Sequence, residues 1–110
     1  MQTVIQVLCK KGKSLREVIT KDQQIENEPY RLKRKKCKSP SRPNGWTEVS
    51  SLDRSPGALK IEWDASAQTL ICRVITKLGN SPSSIVGNFV SYLVARHSKR
   101  FVTIIISTIR

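Results

Sequence analysis

The densest concentration of chemistry in this chain is cationic. Arg31, Lys33, Arg34, Lys35, Lys36, Lys38 and Arg42 place seven cations within twelve residues, with no acid among them. Unpaired charge is too costly to bury, so such a run is either bathed in solvent or neutralised by a partner. A solvated loop is the ordinary outcome for a basic run. Here two aromatic residues flank it, Tyr30 and Trp46, and aromatic rings beside a basic groove can stack on unpaired bases. Further cations at Lys10, Lys11, Lys13, Arg96, Lys99 and Arg100 widen the surface. The combination favours a nucleic acid, single-stranded DNA or RNA, met mainly through its phosphates. Trp46 taken alone reads as a core anchor rather than a stacking platform.

The overall balance agrees with this. Twenty Lys and Arg face eight Asp and Glu, for a formal net charge of +12. Such an excess speaks to partners and solubility, not to fold. Every acid lies between Glu17 and Asp64, so the chain beyond Asp64 carries cations only. A second expectation, from another class, is an adaptor whose basic segment orders against an acidic protein partner. A homodimer through an exposed sheet edge belongs with that reading.

Catalysis finds little material. The single histidine, His97, falls at a helix end, where its ordinary role is a favourable contact with the helix dipole, and no nucleophile is paired with it. Glu62 and Asp64 share one strand face, and with Asp53 as a third oxygen ligand they offer a divalent-cation site. Carboxylates spaced this way are usually solvent-facing polar residues. No phosphate-cradling glycine loop is present, and no helix-turn-helix, zinc-finger or RNA-recognition signature. Cys9, Cys37 and Cys72 are widely spaced and odd in number, with no Cys-x-x-Cys pair. That argues against a disulfide framework or a zinc site and for a reducing, cytoplasmic setting. The expectation is a non-catalytic protein with no cofactor and no metal. No signal peptide is evident, and no apolar run is long enough to span a bilayer.

The elements that must carry these residues follow from periodicity. Ser81 and Pro82 form a helix start, followed by Ile85, Val86, Phe89, Val90, Leu93 and Val94 in one apolar stripe. This predicts an amphipathic helix over 82–97. Gly87 within it reads as a close approach of the helix to a sheet. Phe101 to Ile109 is a β-branched run with apolar groups on both faces, as expected of an interior strand or an edge covered by a partner. Leu59, Ile61 and Trp63 alternate with polar residues, and Thr69 to Lys77 returns as a second strand. Together with helix 82–97 and the last strand they make a C-terminal ββαβ unit over 58–110, with a crossover that is parallel if the strands are neighbours. Thr3 to Cys9 is a further strand. Ser14 and Glu17 have capping-box spacing, which favours a short helix after the Lys10–Lys13 turn. Residues 27–57 hold four of the five prolines and read as a basic, proline-rich loop or partly ordered insert, closed by the Pro56-Gly57 turn. The expected whole is a single α+β domain over 1–110. Its mixed sheet of about four to five strands has one main helix packed on one face.

Overall fold

The computed structural model describes residues 2–52, 57–76 and 83–109. The helix-start residues Ser81 and Pro82, the acid Asp53 and the turn residue Pro56 lie outside them. Strand β1 (Gln2–Cys9) leads into helix α1 (Leu15–Lys21) and a 3₁₀ turn (Gln23–Glu26). A four-strand run follows, made of β2 (Leu32–Ser39), β3 (Arg42–Ser51), β4 (Ala58–Asp64) and β5 (Thr69–Ile75). Helix α2 (Ser83–His97), a 3₁₀ turn (Ser98–Arg100) and β6 (Phe101–Ile109) complete it.

The sheet corrects the expected fold class. Six strands pair in the order β2-β3-β4-β5-β1-β6, every neighbouring pair antiparallel, and the sheet curls into a half-barrel. Among the described residues there are two α-helices, not one main helix, and the sheet is not a mixed one of four to five strands. The strands on either side of α2 run in the same direction but are not neighbours, because β1 lies between them. Ile5 faces Cys72 of β5 on one side and Ile106 of β6 on the other. The expected ββαβ unit is thus interrupted by the strand furthest from it in sequence.

Alternation decides which face is filled. Ile5 and Val7 of β1, Thr47 and Val49 of β3, Leu59 and Ile61 of β4, and Leu70, Cys72 and Val74 of β5 are buried on one side. Ile85, Phe89, Tyr92 and Leu93 of α2 and Leu15 and Ile19 of α1 close over them. Ile25 of the 3₁₀ turn and Leu32 of β2 complete this core. The other face of the sheet has no helix over it among the described residues. The apolar stripe of α2 is narrower than the sequence suggests. Val94 is 53% exposed, while Tyr92, polar in type, is fully buried. Gly87 faces outward, and a Cβ there would meet nothing within 4 Å, so no close approach to the sheet explains it.

One half of the expected capping box of α1 forms, while the Glu17 carboxylate pairs with Arg16 (3.2 Å). Ser14 accepts a hydrogen bond from the backbone N–H of Glu17. Residues 32–51, expected as loop or insert, pair instead as the hairpin β2–β3. Gly45 makes this hairpin possible. Its φ is +74°, and a Cβ there would lie 2.2 Å from the carbonyl oxygen of Cys37, so only glycine fits. The last strand is an edge, with Val102 73% and Ile106 51% exposed. A register shift between Leu8 and Cys9 sets Phe101 opposite Cys9, and Phe101 packs against the core rather than away from it.

Candidate nucleic-acid interface

The basic segment is the opposite edge of the sheet, and the fold divides it by residue type. Arg34 turns inward. Its Nε donates to the carbonyl of Thr20 at the end of α1 (2.6 Å), and its guanidinium pairs with Glu26. Arg31 pairs with Glu28 (3.5 Å), and Arg42 with Glu62 (2.8 Å). The planar fork of arginine suits such fixed contacts. The four lysines behave otherwise. Lys33, Lys35, Lys36 and Lys38 are exposed, and none has a carboxylate at ion-pair distance among the described residues.

Register extends this edge across the uncovered face. Lys35 lies opposite Glu48, Glu48 opposite Lys60, and Lys60 opposite Arg73. Trp46 is on this outer face, not in the core, because the buried positions of β3 are Thr47, Val49 and Ser51. The Lys60 ammonium stands 4.4 Å from the centre of the Trp46 ring, a cation–π contact. Glu62 bridges Arg42 and Arg73 (2.6 Å to the latter). Asp64 accepts from the hydroxyl and backbone N–H of Ser66 and from the N–H of Ala67, which hold its carboxyl below the usual range. Both carboxylates of the suggested cation site therefore have partners within the chain. No cluster of three metal-ligating side chains occurs among the described residues.

Strand directions bring the remaining cations to one end of the sheet. The β1–α1 loop, the β2–β3 turn, the β4–β5 turn and the 3₁₀ turn before β6 all emerge there. Lys10, Lys11, Lys13, Lys99 and Arg100, widely separated in sequence, line one recess of about 220 Å³ over Cys9 and Leu15. Backbone bonds hold its rim. The N–H of Lys10 donates to the carbonyl of Arg100 (2.9 Å), and the N–H of Gly12 to the Gln68 side chain (3.2 Å).

Two expected site residues are drawn elsewhere. Arg96 clasps Asp22, Nε to Oδ2 at 2.9 Å and the second nitrogen to Oδ1 at 3.1 Å. Tyr30 is half-buried edge-on against Tyr92, ring centres 5.5 Å apart. Tyr92 donates its hydroxyl proton to Asp22 Oδ2 (2.7 Å). His97 Nε2, 2.8 Å from that hydroxyl oxygen and 3.1 Å from Oδ2, must then carry the proton and donate. Burial alone would push Asp22 up, but hydrogen bonds from Arg96, Tyr92 and the Gln24 N–H outweigh it and hold the carboxyl well below the usual range. Burial pushes His97 down against the attraction of Asp22 and raises Tyr92 beyond an ordinary phenol, helped by its bond to Asp22. His97 is thus a buried structural group in the last turn of α2. Asp22 and Tyr92 were not singled out by the sequence pattern. The available signal was position, since Tyr92 follows Ile85 and Phe89 by seven and three residues on the buried stripe.

The chain matches no known protein family, no curated protein and no solved structure. No helix among the described residues is long and apolar enough to cross a membrane.

Proposed function

We propose that this is a small, non-catalytic nucleic-acid-binding protein that meets single-stranded DNA or RNA through phosphate contacts. One observation supports the reading above all. Within a single basic segment the arginines are taken up by the protein's own carboxylates, while four lysines on the sheet edge are left for an external anion. Trp46, on the uncovered face under Lys60, adds an aromatic plane beside them. The three cysteines are unpaired, which suits a reducing, cytoplasmic setting.

The test is a mobility-shift titration with single-stranded DNA, RNA and duplex at two salt concentrations. Neutralising about six phosphates gives a log–log salt slope of about −4 to −5. A slope near zero, or no retention at low salt, removes the proposal. An acidic protein partner would use the same lysines, and its co-purification in place of nucleic acid would favour the adaptor instead.

A second reading concerns self-association. Phe101–Ile109 has no charged residue, in a protein of net charge +12, and it forms a sheet edge. Edges are normally guarded by charge, as β2 is by its lysines. An antiparallel β6–β6 homodimer would bring together two neutral strands and keep the cationic surfaces apart. Light scattering reporting a dimer that Ile105→Lys converts to monomer supports this, and a wild-type monomer at high micromolar concentration removes it.

A further inference from the structure

We infer that the recess formed by Lys10, Lys11, Lys13, Lys99 and Arg100 is a site for a phosphate monoester, the terminal phosphate of a nucleic-acid strand. The inference rests on the nucleic-acid reading and goes further, assigning different parts of the bound strand to different cations. Five cations surround about 220 Å³ with no acid lining the space, and none of the five has an ion-pair partner among the described residues.

Volume and charge together select the ligand. At roughly 30 Å³ of liquid per water molecule, the recess holds about seven waters, which suits a phosphate group and the near atoms of its own sugar. An internal phosphodiester carries a single charge. A monoester carries about −1.5 to −2 at neutral pH and three strong acceptor oxygens, a closer match to five donors. The other concave places on the surface are built differently. Among the described residues the hollow at the β2–β3 turn has only Lys36 and Lys38 as cations, and the space beside His97, which shares Lys13 and Arg100 with the recess, adds the acids Glu17 and Asp22. The recess is also held in shape before any ligand arrives. The bond from Lys10 N–H to the Arg100 carbonyl and the bond from Gly12 N–H to Gln68 tie its two sides and its rim, and this lowers the ordering cost of binding.

The two lysine groups thus take different tasks. The β2 edge meets internal phosphates along the strand, and the recess holds the end. Fluorescence anisotropy with one single-stranded oligonucleotide, prepared with a 5′-phosphate, a 3′-phosphate or hydroxyl ends, separates them. A phosphorylated end should bind about ten-fold tighter than the hydroxyl form, the worth of one strong charge-assisted contact. Lys10→Ala/Lys13→Ala/Arg100→Ala should collapse that ratio to about one. Lys33→Ala/Lys35→Ala should lower every affinity while leaving the ratio standing. All three variant lysines and arginines of the recess are exposed, and a thermal melt confirms that the variants fold. Equal affinity for all ends, or a ratio that survives the triple substitution, overturns the inference while leaving the nucleic-acid reading intact. If inorganic phosphate at the oligonucleotide's own concentration abolishes the ratio, the recess belongs to free phosphate and the inference also fails. No binding by any oligonucleotide removes both.

Discussion

Where α1 and α2 meet, one carboxylate is shared by four partners, whereas along β2 four lysines share none. The Asp22 side chain is 8% exposed and accepts from Arg96, Tyr92, His97 and the Gln24 N–H. Lys33, Lys35, Lys36 and Lys38 stand in solvent on an outer strand. The first arrangement spends polar chemistry on holding two helices together. The second leaves it unspent, and unspent charge on a stable scaffold is what a partner can use. The arginines of β2 and its flanks fall on the Asp22 side of this division, so residue count alone overstates the cationic surface.

The contrast breaks or sharpens under four variants. The largest effect is expected from changing Lys33, Lys35, Lys36 and Lys38 together to alanine. If each meets one phosphate, the salt slope shrinks by about 3 and affinity at low salt falls about a hundred-fold or more. Unfolding free energy should move by less than about 0.5 kcal/mol, as for ordinary surface sites. A large stability loss in that variant would show that the lysines belong to the fold after all.

Gly45→Ala comes next, costing up to about 3 kcal/mol in urea unfolding because a Cβ cannot share space with the Cys37 carbonyl. It should also weaken oligonucleotide binding, since β2 is aligned by that hairpin. Asp22→Asn should cost about 2 kcal/mol at pH 7 by leaving Tyr92 and His97 poorly matched. Acid titration adds a sign. A carboxylate held below its unfolded value contributes stability that is complete above about pH 4 and is lost as the pH falls below that. His97, held down by burial, adds a loss that starts as pH falls through about 6.5, where the unfolded imidazole takes up its proton first. Urea midpoints measured from pH 8 to pH 3 should therefore decline in two stages, and Asp22→Asn should flatten the lower one. The smallest effect is Gly87→Ala, a gain of about 1 kcal/mol on the open side of α2.

Local features of this fold are legible in the sequence and long-range ones are not. The Ser14 cap, the alternation in β4 and β5 and the stripe of α2 depend on residues a few positions apart. The position of β1 between β5 and β6 depends on pairings such as Ile5 with Cys72 and Ile106, and no local pattern records them. The β2–β3 hairpin is masked for another reason. Its inward positions include Arg34, Thr47 and Ser51 beside Leu32 and Val49, so the apolar alternation that marks a strand is missing. Hydrogen bonds from Arg34 to Thr20 and between the Thr20 and Thr47 hydroxyls (2.7 Å) replace it. At the candidate site the cationic residues could be named, but their division could not. Nothing in the run from Arg31 to Arg42 tells which cations Glu26, Glu28 and Glu62 will claim.

The insertion of β1 between two strands that follow it far along the sequence has a consequence during synthesis. Its row of backbone donors and acceptors emerges before those of both its partners and must wait, unpaired on both sides, while the segments between are made. Non-local pairing of this kind folds slowly and leaves strand edges open in the meantime. For a nascent segment as apolar as TVIQVLC, that interval is when the molecule is most exposed to sticking to its own kind, and the lysines that follow at once are well placed to discourage it.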